Sequence, residues 1–236
     1  MSPSKREFPG GVYAITPETA DTGLLLAQVE AALRGGVAAV QYRDKSGDVA
    51  RRHEQASELV ALCRRFKVPL IVNDDLRLAD LCDADGVHLG RDDGTVREAR
   101  IILGKDKFVG ASCYQSLDLA LAAQAAGADY VAFGSFFPSA TKPDAARASL
   151  DLLRQAAPQI HLPLVAIGGI TLANAPALLD SGADCLAVLS ALFDDADVFA
   201  AVGVPHPRSL GAAEKHRRAA HALECAHRRI HAAGDD

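Results

Sequence analysis

The sequence predicts an α/β fold: a (β/α)8 TIM barrel in a single domain, with an extra C-terminal helical tail. Three observations predict it. Short apolar runs alternate with helical stretches eight times, the pattern of a parallel sheet with crossover helices. The runs are apolar throughout rather than strictly alternating, which suits strands buried on both faces. The 236 residues are many for a simple domain but ordinary for such a barrel, which takes roughly 250. A doubly wound sheet is the main alternative.

In chain order, residues 1–10 read as an N-terminal arm and residues 11–202 as the barrel. The first strand is Gly11–Thr16, and a helix over Leu24–Arg34 stops at Gly35-Gly36. Ala38–Arg43 is the second strand, followed by a helix over Asp48–Phe66 that Asp48 caps. Leu70–Asn73 and Gly86–Leu89 are strands three and four, with helices over Arg77–Cys82 and Thr95–Leu103. Phe108–Ser112 and Tyr130–Gly134 follow, with helices over Leu117–Ala126 and Leu150–Ala157. Leu164–Gly168 and Cys185–Ser190 complete the strands, with helices over Leu172–Asp180 and Ala196–Val202. The phrases AAGADYVAF and DSGADCLAV echo one another before strands six and eight, a weak trace of repeated β/α units. Residues 203–236 are a linker and tail. GVPHP interrupts the barrel pattern, and Ala212–His231 reads as one more helix.

Composition excludes several classes. A net charge of −5 argues against generic nucleic-acid binding, which favours a basic surplus. No run approaches the roughly 18 apolar residues of a membrane span, and Met1 to Pro9 lacks a signal-peptide core. Cytoplasm is the expected location. Five scattered cysteines, with no C-x-x-C pair, point to reduced thiols rather than a disulfide framework or zinc knuckle.

Catalytic groups of such barrels stand at the C-terminal ends of strands. Strand two ends in Gln41-Tyr42-Arg43-Asp44-Lys45, and alternation puts Gln41, Arg43 and Lys45 on one side. A planar fork and a point charge together suit a diphosphate, although a solvated charged loop is the commoner fate. Strand three ends in Asn73-Asp74-Asp75, where Asp75 also fits a helix cap. Strand four ends in Gly90-Arg91-Asp92-Asp93. One carboxylate from each neighbouring end can share Mg2+, which takes few carboxylates plus water and phosphate oxygens. Ser112 at the end of strand five is a phosphate donor or a capping hydroxyl. The long loop after strand six carries Ser139, Thr141 and Lys142 among prolines, a phosphate clamp or part of a lid. Gly168-Gly169 at the end of strand seven and Leu189-Ser190 at the end of strand eight sit where barrels commonly bind phosphate through backbone N–H groups.

Taken in order, Gln-Tyr-Arg-Asp-Lys, Val-Asn-Asp-Asp, Asp-Gly-Val-His-Leu-Gly-x-Asp-Asp, Gly-x-Ser, Thr-Lys-Pro, Ile-Gly-Gly-Ile-Thr and Ser-Ala-Leu-Phe resemble the thiamine-phosphate synthase family over about Gly11 to Val202. The resemblance implies joining of 4-amino-2-methyl-5-pyrimidinylmethyl diphosphate to 4-methyl-5-(2-phosphooxyethyl)thiazole, through a pyrimidinylmethyl cation formed as pyrophosphate departs. It implies that Gln41, Arg43 and Lys45 hold the pyrimidine diphosphate, that Asn73 contacts it, and that Asp74 and Asp93 bind Mg2+. Ser112 and Lys142, with Arg43, act on the bond-breaking step. Ser139, Thr141, Gly169, Leu189 and Ser190 surround the thiazole phosphate. Ser139 stands where the family often has threonine, and the tail beyond Val202 departs from the pattern. The implied partners are small phosphorylated molecules, with a homo-oligomer left open.

Two rivals remain at this level: a thiazole tautomerase on the same barrel, and a barrel that binds the phosphate ligand without turning it over. The cation set, both acidic motifs and Thr141-Lys142 weigh against the tautomerase. His88, inside strand four, reads as a buried, satisfied histidine. His227 and His231 share a helix face but lack a third metal ligand nearby, and Arg217, Arg218, Arg228 and Arg229 of the tail read as a solvated face. Cys113 reads as packing rather than nucleophile.

Overall fold

In the computed structural model, residues 7–138 and 146–193 are described. Eight parallel strands close into a barrel in the order β1 to β8, with β1 hydrogen-bonded to β8. They are β1 (Gly11–Ile15), β2 (Ala39–Tyr42), β3 (Leu70–Asn73), β4 (Gly86–Leu89), β5 (Phe108–Tyr114), β6 (Tyr130–Gly134), β7 (Leu164–Ile167) and β8 (Cys185–Val188). Closure excludes the doubly wound sheet.

The helices are α1 (Thr22–Arg34), α2 (Val49–Phe66), α3 (Leu76–Leu81), α4 (Val96–Leu103), α5 (Leu117–Ala126), α6 (Leu150–Ala156), α7 (Ala175–Asp180) and α8 (Ser190–Phe193). Side-chain caps set most of their starts. Asp48 accepts from the Arg51 N–H and Asp75 from the Leu78 N–H, and Thr95 with Glu98 forms a capping box. The helix expected over Leu172–Asp180 begins three residues later. Asn174 Oδ1 accepts from the Thr171 N–H and Asn174 Nδ2 donates to the Gly169 carbonyl, tying those residues into a turn. Pro176 then fits the first helical turn, where its missing N–H costs nothing. β8 ends two residues earlier than expected, because Ser190 already opens α8. The expected helices over Ala196–Val202 and Ala212–His231 lie outside the described residues.

Two cores result. The larger lies between the strands and the helices. The smaller fills the barrel interior with Tyr13, Ile15, Ala39, Ile71, Phe108, Tyr130, Val165, Cys185 and Ala187. Phe8, from the segment read as an arm, belongs to this interior core and is fully buried. Its ring stacks on Tyr130 at 3.9 Å and meets Tyr13 and Phe108 edge-on at 5.3 and 5.4 Å. Phe108 and Tyr130 are the first residues of their strands, so Phe8 closes the barrel at the end opposite the strand C-termini.

The echoed Gly-Ala-Asp phrase has a physical basis. Asp129, just before β6, accepts from the Val109 N–H of β5 at 2.8 Å. Asp184, just before β8, accepts from the Leu164 N–H of β7 at 2.9 Å. Asp85, before β4, does the same to Leu70 of β3 at 3.0 Å. Each carboxylate ties the start of an even strand to that of its odd neighbour, satisfying a backbone donor at the barrel floor.

Candidate active site

The pleat divides β2 as alternation requires. Tyr42 points outward and donates to Gln55 Oε1 on α2 at 2.9 Å. Gln41 points inward, 4% exposed, and donates to Tyr13 Oη at 2.9 Å. Arg43 continues on the mouth side, half-buried, its backbone N–H held by Thr16 Oγ1 at 3.0 Å. Lys45 lies beyond the strand, its N–H bound to Glu18 Oε2 and its ammonium paired with Asp74.

Asp74 adopts a left-handed backbone, φ 64°, and its N–H donates to the His88 carbonyl at 2.8 Å. That turn lifts its carboxylate off the end of β3 toward the β4 loop, and Asp tolerates it better than most residues. Asp93, on that loop, accepts from the Gly90 N–H at 2.9 Å and reaches the Asp74 carboxyl. Burial acts to raise Asp74, but the Lys45 ammonium and the shared contact with Asp93 more than offset it, so its pKa is lowered. Asp93 is raised, first by burial and then by Asp74. Two carboxyl groups this close favour one shared positive charge between them. Asp75 is the α3 cap and pairs with Arg52 at 2.9 Å, so the capping reading holds for it. Among the described residues no cluster of three or more metal-ligating side chains occurs.

An open groove of about 530 Å³ reaches the acidic pair from the α3–α4 side, lined by Arg52, Arg77, Glu98 and Ile102 beside Asp74 and Asp93. Neither Arg43 nor Lys45 lines it. It therefore meets the carboxylates but not the β2 cations.

On the far side, Ser112 lies inside β5 rather than at a helix start. Ser116 caps α5 instead. The Ser112 hydroxyl meets His88 Nε2 at 2.9 Å, and His88 Nδ1 meets Tyr130 Oη at 3.1 Å. His88 is thus buried and satisfied on both nitrogens. Burial pushes its pKa down to about 4, against the opposing pull of Asp74. Cys113 faces the outer core, and burial pushes its thiol up to about 12, which leaves it inert.

Gly168 and Gly169 have φ of 105° and 61°, and a Cβ on either would strike Ser135 or the Phe137–Pro138 backbone within 3 Å. The close approach these glycines permit is thus to the β6 loop, whose Phe137 N–H donates to the Gly168 carbonyl at 3.0 Å. Leu189 packs against the interior core, and Ser190 begins α8. Ser139, Thr141 and Lys142 lie outside the described residues.

A family model of thiamine monophosphate synthase matches residues 12–192. The chain belongs to the thiamine monophosphate synthase family. Among proteins of that family, the thiamine-phosphate synthase of Thiobacillus denitrificans is 78% identical over 193 residues, covering 82% of this chain and 92% of that protein. The thiamine-phosphate synthase of Methylobacillus flagellatus is 54% identical over 188 residues, covering 80% and 90%. A solved thiamine phosphate pyrophosphorylase from Pyrococcus furiosus superimposes with a TM-score of 0.72 at 34% identity, covering 90% of this chain and 96% of that one. A 3-hexulose-6-phosphate synthase, TM-score 0.58 at 20% identity, shares the fold alone. Membership of the thiamine monophosphate synthase family makes the chain a transferase of thiamine biosynthesis.

Sequence reasoning placed Gln41, Arg43, Asp74, Asp93 and Ser112 at strand ends, and the structure joins Lys45 to Asp74 to Asp93 in one contact series. It did not find Tyr13 and Tyr130. The signal was present: both are polar rings on runs otherwise apolar, in register to face inward.

Proposed function

We propose that the chain joins 4-amino-2-methyl-5-pyrimidinylmethyl diphosphate to 4-methyl-5-(2-phosphooxyethyl)thiazole, releasing thiamine phosphate and pyrophosphate. The methylene carbon–oxygen bond breaks first, and its electron pair leaves with pyrophosphate. The thiazole nitrogen lone pair then forms the new carbon–nitrogen bond to the pyrimidinylmethyl cation. Such a reaction asks for charge stabilisation and positioning more than for a general base. The observation that carries the reading is the line of Lys45, Asp74 and Asp93 across adjacent strand ends, with Arg43 two residues before Lys45 at the end of β2.

Gln41, Arg43 and Lys45 hold the pyrimidine diphosphate, Asn73 contacts its diphosphate, and Ser112 and Lys142 meet the departing pyrophosphate. Ser139, Thr141, Gly169, Leu189 and Ser190 surround the thiazole phosphate. The residues fit a divalent ion: two hard carboxylate donors within reach of one another, with no third protein ligand among the described residues, leave room for phosphate oxygens and water. Asp74 and Asp93 would hold Mg2+, which when bound neutralises charge on the diphosphate. The protein works in the cytoplasm on small phosphorylated molecules, without nucleic acid or membrane.

The deciding assay is turnover with both substrates, with and without chelator. Expected are thiamine phosphate and pyrophosphate in equal amounts, no turnover in chelator, and weakened diphosphate binding in Asp74→Ala and Asp93→Ala. Full activity in chelator would remove the metal. Conversion of a thiazole substrate alone would indicate an isomerase, and binding without turnover a non-catalytic barrel.

A further inference from the structure

Five side chains form one continuous hydrogen-bonded chain through the barrel interior. Gln41 Nε2 meets Tyr13 Oη at 2.9 Å, Tyr13 Oη meets Tyr130 Oη at 3.0 Å, Tyr130 Oη meets His88 Nδ1 at 3.1 Å, and His88 Nε2 meets Ser112 Oγ at 2.9 Å. Its two ends stand on β2 and β5, and both belong to the proposed diphosphate site. The three middle residues have no part in the reaction as set out above. Gly110 on β5 makes room for them: a Cβ there would lie 2.0 Å from Tyr130 Cζ and 2.4 Å from its hydroxyl oxygen.

Each phenol carries one hydrogen, and a neutral imidazole carries one, so only two proton orders place every one of these hydrogens in a bond within the series. In one, Gln41 donates to Tyr13, Tyr13 to Tyr130, and Tyr130 to Nδ1. His88 then holds its proton on Nε2 and donates to Ser112. In the other, every bond reverses, His88 is protonated on Nδ1, and Ser112 donates into the core. A doubly protonated ring fits neither, because the Tyr13 and Tyr130 hydrogens would lack a final acceptor in a closed interior. Gln41 selects the order. Its amide nitrogen faces Tyr13, and an amide nitrogen donates but does not accept.

We infer that Tyr13, Tyr130 and His88 are positioning residues that fix this proton order and so leave the Ser112 hydroxyl hydrogen free to donate to the departing diphosphate. The inference rests on the diphosphate reading of the site. With the reversed order, Ser112 would turn lone pairs rather than a hydrogen toward an anion, and the contact would repel.

The test is nitrogen NMR of the full chain with labelled histidine, the His88 signal being assigned by its loss in His88→Gln. Spectra are recorded for the free protein and with inorganic pyrophosphate. Expected is a pyrrole-type Nε2 and a pyridine-type Nδ1 in both, and a protonated Nδ1 in either overturns the inference. Kinetics supply a second test. Tyr130→Phe keeps the ring stack but loses the donor, and should lower the single-turnover rate on the order of tenfold with KM for the thiazole phosphate unchanged. Ser112→Ala should lower it about a hundredfold. The double variant should be no slower than Ser112→Ala alone, because both changes remove one interaction; additive losses overturn the inference. If Tyr130→Phe folds poorly, Tyr13→Phe interrupts the same series. A wild-type protein with the expected tautomer that turns over neither substrate overturns the reaction itself, and is told apart by the spectrum.

Discussion

At the scale of single residues, two positions separate chemistry from packing. Lys142 lies outside the described residues, between Thr141 and Pro143. Its ammonium is proposed to offset negative charge as pyrophosphate departs. A contact that strengthens as charge develops lowers the barrier, whereas one equal in both states only tightens binding. Lys142→Ala should therefore lower the single-turnover rate on the order of a hundredfold with an unchanged melting temperature. Lys142→Arg should rescue it only in part, because a broad fork does not replace a compact ammonium. A wild-type rate in folded Lys142→Ala would take the residue out of the mechanism. Gly110 is the opposite case. Its φ is unexceptional, yet any side chain there collides with the Tyr130 ring. Gly110→Ala should cost about 1–3 kcal/mol as an overpacked core position and should also displace the Tyr130 hydroxyl from His88. Denaturant unfolding reads the first effect and the histidine spectrum the second; an unchanged midpoint would show that Tyr130 has room to move.

At the scale of elements, the strands were legible because parallel strands buried on both faces are continuous apolar runs, and the polar residues just after them stand out. The caps were legible where the capping residue is adjacent to its helix, as Asp48 and Asp75 are. Helix α7 was placed too early because the Asn174 side chain competes for the backbone of the preceding turn, which no periodicity records. The Gly-Ala-Asp echo was visible as a repeated phrase, but its cause was not, since each Asp acts on the start of a neighbouring strand about twenty positions earlier. That cause makes a prediction. Asp184→Ala removes the acceptor of the buried Leu164 N–H and should cost about 1–3 kcal/mol, while Asp184→Asn keeps a carbonyl oxygen in place and should cost less. Equal losses in the two variants, measured by chemical denaturation, would assign the effect to charge rather than to the orphaned donor.

At the scale of the whole molecule, the two ends of the chain should behave oppositely. Sequence periodicity set residues 1–10 apart, because nothing local tells that Phe8 reaches Tyr13, Phe108 and Tyr130 across the barrel floor. Truncating that fully buried ring should destabilise the protein as other large core truncations do, by about 3–5 kcal/mol for Phe8→Ala. Its effect should appear in stability more than in substrate affinity, since it closes the end opposite the site. The C-terminal tail lies beyond the family match, which ends at residue 192, and Pro205 and Pro207 divide it from the barrel sequence. All the strand-end groups proposed for the reaction precede it. Deleting residues 207–236 should therefore leave kcat and KM within about twofold, as changes remote from a site usually do. Kinetics and solution mass of the truncated chain check this together. A truncated protein that folds but loses turnover would mean that the tail reaches the site, and one that changes mass without losing turnover would assign the tail to assembly.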